Sequence, residues 1–469
     1  MEQGGEQSSP AVLRSSHRPA RAWLAGLARI GAALGVLAGL ALGLGARRVD
    51  QAHGPASIDV VLVVIDTLRA RNVSLYGYER RTTPNLEALA RDGVTWDAAI
   101  TPGTWTVPAH GAIFTGLMPS FHGAERVKGE TLLTTPLNPE VRTLAEILGE
   151  NGWQTGAFIG NTTYVTSLLG FDRGFERFSV NEYRVSAKEI VEDGLAWFAA
   201  AKTPAFLFVN IVDPHEPYAP PPPFNERFPG RSADIHGEPR EILGRSAART
   251  PAALEHFRAL YDGDVAFADW GLGELLAGLR RLGRYRDTLI VVTSDHGEHF
   301  GENDIVGHGK GGFEPLLHVP LVVKYPADRE AGARVARRVS TIGIFGTILA
   351  EVGILPPAGV AGTPLDVPHP VVLEDINAEG QRFIVAYQGD RKILWRIDPT
   401  RGDPARQDMR VYDLVDDPAE AKPLPPASAP GLERHLRAFA ARPRPINSAP
   451  APVIDAERER ALRRLGYVE

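Results

Sequence analysis

Thr106 stands in the stretch TWTVPAHGAIFTG, Thr104 to Gly116, where a hydroxyl, a proline, a histidine and closing glycines share one short span. A plain hydroxyl is a poor nucleophile at neutral pH and becomes a good one only beside a metal ion or a base. Three acidic or imidazole clusters elsewhere could supply that help. Asp66 closes the apolar run IDVVLVVID, Asp295 and His296 follow TLIVVTS, and His215 follows AFLFVNIVD in the segment DPHEPY. Carboxylate and imidazole are the ligands that a hard-to-borderline divalent cation takes. Pro108 suits a first helical turn, so Thr106 is expected just before a helix whose free N–H groups and dipole favour an anion. Taken alone, a threonine two residues before a proline also reads as an ordinary helix cap.

The elements that must position these groups follow from the apolar patterning. The three runs that end in polar clusters are almost continuously apolar and β-branched, as expected of strands covered on both faces. Between them lie helical patterns such as TPNLEALARDG, with Pro84 in the first turn, Leu86 and Leu89 on one face and Gly93 as the stop, and FADWGLGELLAGLRRLG before the third strand. Strand and helix in alternation predict an α/β fold, with helices on both faces of a mostly parallel sheet. Ligands of such sheets bind beyond the carboxyl ends of the strands, so the three clusters are expected to meet on one rim. From about Val371 the pattern changes to short strands, VVLEDI, RFIVAYQGD and RKILWRID, which predict a small antiparallel sheet. The expected organisation is a basic and apolar leader over 1–50, a catalytic domain over 57–365, an antiparallel subdomain over 366–425, and a Pro/Ala-rich tail with surface helices over 426–469.

The segments VVLVVIDTLRARNVSLYGYERRTTPNLEALARDGVTWDAAIT, TWTVPAHGAIFTGLMPSFHG and VTSDHGEHFGENDIVGHGKGGFEPLLHVPLVV together resemble the sulfatases of the alkaline phosphatase superfamily, in order, spacing and flanking glycines. ILWRIDP and VYDLVDDPAE resemble that family's C-terminal signature, so the likeness covers roughly Ile58 to Ala421. It implies an alkaline phosphatase-like fold: a large, mostly parallel mixed sheet sandwiched by helices, with a C-terminal antiparallel sheet. It also implies one divalent cation held by Asp66, Thr106, Asp295 and His296, Ca²⁺ in the family pattern. His215 matches the histidine that contacts the ester and protonates the leaving group, and Lys310 matches the lysine that neutralises nonbridging oxygens. His308 is placed to assist Lys310, and His110 takes the place of an arginine that steadies the nucleophile. Glu298, His299, His122 and His318 are read as supporting or structural.

Departures from that pattern carry their own expectations. Many sulfatases have Asp-Asp at the end of the first strand; here the pair is Asp66-Thr67, and fewer carboxylates plus a histidine move the expected ion toward Mn²⁺ or Zn²⁺. The family oxidises a Cys or Ser to formylglycine. Here the residue is Thr106, whose oxidation would give a ketone, and the chain has no cysteine, so no formylglycine is expected. A threonine at this position resembles phosphoethanolamine transferases and lipoteichoic acid synthases of the same superfamily. Asn161 and Thr163 stand where the family has Lys and His as substrate contacts, which removes two cations and points toward a diester with a second substituent.

The 469 residues carry a formal charge of −6 with no long basic run, which leaves no electrostatic footprint for nucleic acid. Arg14, Arg18, Arg21 and Arg29 precede an uncharged run from Ile30 to Ala46, followed by Arg47 and Arg48. That pattern predicts an export signal or a single membrane anchor with the catalytic body outside the cytoplasm. The reading is a metal-dependent hydrolase of sulfate or phosphate esters. Its alternatives are a phosphodiesterase or phosphoryl transferase acting on a lipid or glycan head group, and an inactive member that binds an anionic glycan or lipid.

Overall fold

Val60–Ile65 is a run of six buried aliphatic residues, and it forms an interior strand, β1, of an eight-stranded sheet. The computed structural model describes residues 58–449 apart from 128–133, 181–185, 203, 238, 246–248, 377–379, 399, 401–407, 446 and 448. The apolar leader from Ile30 to Ala46, its basic flanks and the final RRLGYVE helix lie outside the described residues. Among the described residues no helix is long and apolar enough to cross a membrane.

The other strands of this sheet are β2 (Val94–Trp96), β3 (Gln154–Ile159), β4 (Arg177–Val180), β5 (Ala205–Ile211), β6 (Leu289–Thr293), β7 (Leu321–Lys324) and β8 (Arg334–Val335), in the spatial order β8-β2-β7-β6-β1-β5-β3-β4. From β6 to β4 all neighbours are parallel, whereas β7 runs antiparallel to both β6 and β2. Side chains of a strand alternate between faces, and β1 serves two cores. Val60, Leu62 and Val64 join Phe114, Leu148 and Phe345 on one side. Val61, Val63 and Ile65 join Leu86, Phe198 and Leu272 on the other. Each such side chain taken out of water contributes roughly 1.5–3 kcal/mol, which is why the strand tolerates no polar residue before its end.

The helices read from the sequence are present. Pro84 opens the Pro84–Asp92 helix in its first turn, and Leu86 and Leu89 are buried. The pattern FADWGLGELLAGLRRLG is the second half of a longer helix, Pro251–Arg281, begun by a Thr250 side chain that accepts from Ala253 N–H.

The C-terminal strands β9 (Val371–Ile376), β10 (Arg382–Gln388), β11 (Arg391–Ile397) and β12 (Met409–Asp413) form an antiparallel sheet in sequential order. One face, with Ile384, Ile393 and Trp395, is covered by Leu432, Leu436 and Phe439 of the Pro430–Ala440 helix. The other, with Phe383, Val385 and Tyr387, packs on Leu316 and Leu317 beside the large sheet. The small sheet therefore reaches the segment that carries Lys310.

Candidate active site

Strand register brings the two aspartates together. Val64 of β1 lies opposite Thr293 of β6 in a parallel pair, so two residues further on Asp66 is level with Asp295 at the carboxyl edge of the sheet. One ligand atom each from Asp66, Asp295 and His296 fall within 4.8 Å of one another, and all three residues are buried. His296 Nδ1 donates to the Gly297 carbonyl at 2.9 Å. That bond fixes the tautomer and leaves the Nε2 lone pair facing the carboxylates, 3.4 Å from Asp295 Oδ2 and 3.6 Å from Asp66 Oδ1.

Each carboxylate is held by one oxygen and bare at the other. Asp295 Oδ1 accepts from His296 N–H at 2.8 Å and Thr67 N–H at 3.3 Å. Asp66 Oδ2 accepts from Asn161 Nδ2 at 2.7 Å. Asp66 Oδ1 and Asp295 Oδ2 are buried without a hydrogen-bond partner. Burial, reinforced by the neighbouring charge of Asp295, pushes Asp66 up to about 8, and burial pushes Asp295 up to about 7. Two orphaned carboxylate oxygens and an imidazole lone pair converging in a dry site are the donor set of a divalent cation, and a cation would meet the charge that burial opposes.

Thr106 reaches this cluster from the other side. Its Oγ1 is 3.5 Å from His296 Nε2 and 3.4 Å from Asn161 Nδ2, and the residue is fully buried. The expectation that Thr106 sits just ahead of the helix is corrected: the helix is Thr106–Thr115, the capping position belongs to extended Trp105, and there is no side-chain cap. Thr106 is thus the first helical residue, its hydroxyl facing the carboxylates. His110, one turn along, donates from Nδ1 to the Thr106 carbonyl at 3.0 Å and lies 3.4 Å from Asp295 Oδ2. Burial pushes its pKa down to about 3, so it braces the turn as a neutral ring and does not replace an arginine's charge.

Asn161, two residues past β3, sits between Asp66 and Thr106, and its Oδ1 accepts from Thr163 N–H at 3.3 Å and Tyr164 N–H at 3.1 Å. Its side chain is spent on the machinery itself. Thr163 is buried beside it, with its hydroxyl unpartnered.

His308 stacks near His296, ring centroids 4.6 Å apart, and near His215 at 4.9 Å. Its Nδ1 is 3.2 Å from Glu298 Oε1. His215 Nδ1 donates to the Glu216 carbonyl at 2.6 Å. The three imidazoles form a wall leading from the aspartates. Lys310 is exposed and lines a cavity of roughly 460 Å³ with Phe313, Phe383, Arg396 and Arg410, at the seam with the small sheet. His122 Nε2 donates to the Pro108 carbonyl at 3.1 Å and His318 Nε2 to that of Asp97 at 2.9 Å. His299 is buried, and neither ring nitrogen has a hydrogen-bond partner.

Sequence reasoning missed the braces. Thr67 has φ of +56°, a left-handed turn that swings the chain away from the sheet straight after Asp66. Tyr261 holds it there, donating to the Thr67 carbonyl at 2.8 Å and accepting from Arg69 N–H at 3.2 Å. Asn210, on β5, accepts from Asn161 N–H at 2.8 Å. A polar residue inside the otherwise apolar run AFLFVNIVD was the available signal for it.

The family model described as Sulfatase matches residues 58–354, more than half of the chain. An ulvan-active sulfatase of Formosa agariphila is 25% identical over 352 residues, covering 68% of this chain and 66% of that protein. The crystal structure of a phosphonate monoester hydrolase of Agrobacterium radiobacter shares the fold with a TM-score of 0.65 at 22% identity, over 82% of this chain and 94% of that one. A protein solved with its substrate D-glucosamine-2-N,6-O-disulfate does so at 0.66 and 17% identity, over 82% and 97%. With the three motif segments, the register that pairs Asp66 with Asp295 and a family match across the whole sheet, the chain belongs to the sulfatase family and is a sulfatase-like ester hydrolase.

Proposed function

We propose that this enzyme hydrolyses sulfate or phosphate esters with Thr106 as its nucleophile. The observation that carries the reading is the position of Thr106 Oγ1, buried 3.5 Å from His296 Nε2 and 3.4 Å from the amide that also holds Asp66. Asp66, Asp295, His296 and Thr106 would hold one divalent cation, Mn²⁺ or Zn²⁺ by donor type, which when bound lowers the pKa of a hydroxyl and offsets ester charge. Thr106 releases its hydroxyl proton to solvent, its Oγ1 bonds to sulfur or phosphorus as the bond to the leaving oxygen breaks, and that oxygen takes a proton from His215. Water then releases the group and restores the hydroxyl. His308, held by Glu298, lines the path between them. With a threonine in place of Cys or Ser, the chain works without formylglycine.

The ulvan-active relative and the neighbour solved with a disulfated glucosamine support a sulfated glycan as the substrate class. A second reading, a phosphodiesterase or phosphoryl transferase acting on a lipid or glycan head group, is supported by neutral Asn161 and Thr163 at positions where the family has cations. The basic and apolar leader supports export, with the catalytic body outside the cytoplasm, anchored or released. Side-by-side rates on a sulfate monoester, a phosphate monoester and a phosphate diester, with the ion identified by elemental analysis, test the reading. A faster sulfate monoester supports the first form and a faster diester the second; no turnover of any of them by metal-loaded protein defeats both.

A further inference from the structure

Asp375 is a carboxylate where the strand pattern calls for a hydrocarbon. Side chains on β9 alternate between faces, so Val371, Leu373 and Asp375 point the same way. Val371 and Leu373 pack with Leu316 and Leu317 beside the large sheet, and Asp375 is buried with them. An acid in that position costs folding free energy unless its oxygens are met by donors. Burial pushes its pKa up to about 7, opposed first by the charge of Arg126 and then by the Ile376 and Trp105 donors.

Its side-chain donors are the two residues that lead into the nucleophile helix. Thr104 Oγ1 donates to Asp375 Oδ2, and Trp105 Nε1 donates at 3.2 Å to Oδ1, which also accepts from Ile376 N–H at 2.8 Å. Thr104 and Trp105 are themselves buried, so these bonds are made away from competing water. The backbone repeats the attachment: Glu374 N–H donates to the Pro102 carbonyl at 3.4 Å, and the Thr104 carbonyl accepts from Gly309 N–H at 2.9 Å. Trp105 holds the capping position of the Thr106–Thr115 helix in an extended conformation and supplies no side-chain cap. With no local cap, the angle at which the chain enters the helix is set by what anchors Trp105.

We propose that Asp375 is a positioning residue of the reaction: from the small sheet it holds Thr104 and Trp105 so that Thr106 begins its helix with the hydroxyl facing Asp66, Asp295 and His296. The C-terminal sheet then takes part in catalysis through the placement of one hydroxyl. The role rests on Thr106 as the nucleophile, but the hold on Trp105 can be read without turnover.

The test uses the full chain loaded with metal, as wild type, Asp375→Leu, Asp375→Asn, Thr104→Val and the double variant Asp375→Leu/Thr104→Val. Leucine suits the apolar face of β9 and accepts no hydrogen bond, whereas asparagine keeps one accepting oxygen. Rates on nitrophenyl sulfate and on bis-nitrophenyl phosphate are measured beside metal content and melting temperature. The indole N–H signal of Trp105 is followed by NMR and assigned by its loss in Trp105→Phe.

Misplacing the hydroxyl is expected to lower kcat by roughly 10- to 100-fold in Asp375→Leu with KM within about 2-fold of wild type, and Asp375→Asn is expected to fall in between. Metal content should stay at the wild-type level, and the Trp105 indole signal should move. The double variant should be no slower than Asp375→Leu, because the Thr104 bond is already absent there. Wild-type kcat in Asp375→Leu overturns the proposal, as does a loss confined to melting temperature or metal content, or full additivity in the double variant. Should Asp375→Leu not fold, Asp375→Asn and Thr104→Val carry the same comparison. Wild-type turnover by Thr106→Ala would defeat the nucleophile assignment, whereas an unmoved indole signal in the Asp375 variants would defeat the hold on Trp105 separately.

Discussion

Asn161 Nδ2 donates to Asp66 Oδ2 at 2.7 Å from a turn two residues beyond the neighbouring strand, and the same amide nitrogen stands 3.4 Å from Thr106 Oγ1. A single neutral side chain therefore bridges a carboxylate of the acidic cluster and the hydroxyl. Asn161→Ala is expected to weaken cation affinity by roughly 10- to 100-fold, because it removes the contact that aims the carboxylate. Asn161→Asp adds a third carboxylate and is expected to shift preference from Mn²⁺ or Zn²⁺ toward Ca²⁺. Titration of the chelated protein with each ion reads both effects.

His296 offers the only imidazole lone pair within the cluster of Asp66, Asp295 and His296. His296→Ala is expected to abolish hydrolysis and to leave the purified protein with no bound transition metal. Chelation of the wild type should likewise remove activity, and re-addition of Mn²⁺ or Zn²⁺ should restore it. Elemental analysis alongside the rates checks both, and full activity in a thoroughly chelated sample would be incompatible with the site described.

The small sheet is fastened to the short helix Glu314–Leu317 by a buried ion cluster. Lys392 Nζ lies 3.0 Å from Glu314 Oε1 and 2.6 Å from Glu420 Oε1, and Tyr387 donates to Glu314 at 2.7 Å. Lys392→Met strands two buried carboxylates and is expected to cost about 3–5 kcal/mol, read as a lower denaturant midpoint. The same cluster sets an acid dependence. Burial works to raise Glu314, but Lys392, His318 and the hydrogen bond from Tyr387 together hold the carboxyl down to about 2, below its ordinary 4.5. A depressed carboxyl contributes stability that is present above its unfolded value and lost as pH falls through the folded one. The share of stability that Glu314 supplies is therefore expected to be lost as pH falls from 4.5 toward about 2, opposed by Glu420, which burial raises, and the difference in the pH dependence of melting temperature between wild type and Lys392→Met reads that share.

Much of this was legible in the chain. Three continuous β-branched runs, each ending in an acid or histidine, identify strands buried on both faces, and parallel pairing then forces Asp66 and Asp295 to one edge. The small sheet was equally plain, because short strands punctuated by turn residues leave few other solutions, whereas its covering helix, Pro430–Ala440, read only as a surface helix of the tail. The side-chain directions were not. Asn161 read as a substrate contact because only its position was visible, and its hydrogen bond to Asp66 depends on how a turn closes after β3. His110 read as the stand-in for an arginine that steadies the nucleophile, but burial pushes its pKa down to about 3 and keeps it neutral. Tyr261 sits in the middle of a 31-residue helix, where amphipathic spacing says which face is buried and nothing of which hydroxyl is aimed at Thr67.

The most direct test is the rate of ester hydrolysis by metal-loaded Thr106→Ala beside wild type, with metal content and melting temperature measured on the same samples. The account predicts a folded protein that retains its ion, or most of it, and hydrolyses neither sulfate nor phosphate esters above background. Wild-type rates in that variant would contradict it and return Thr106 to a purely structural role.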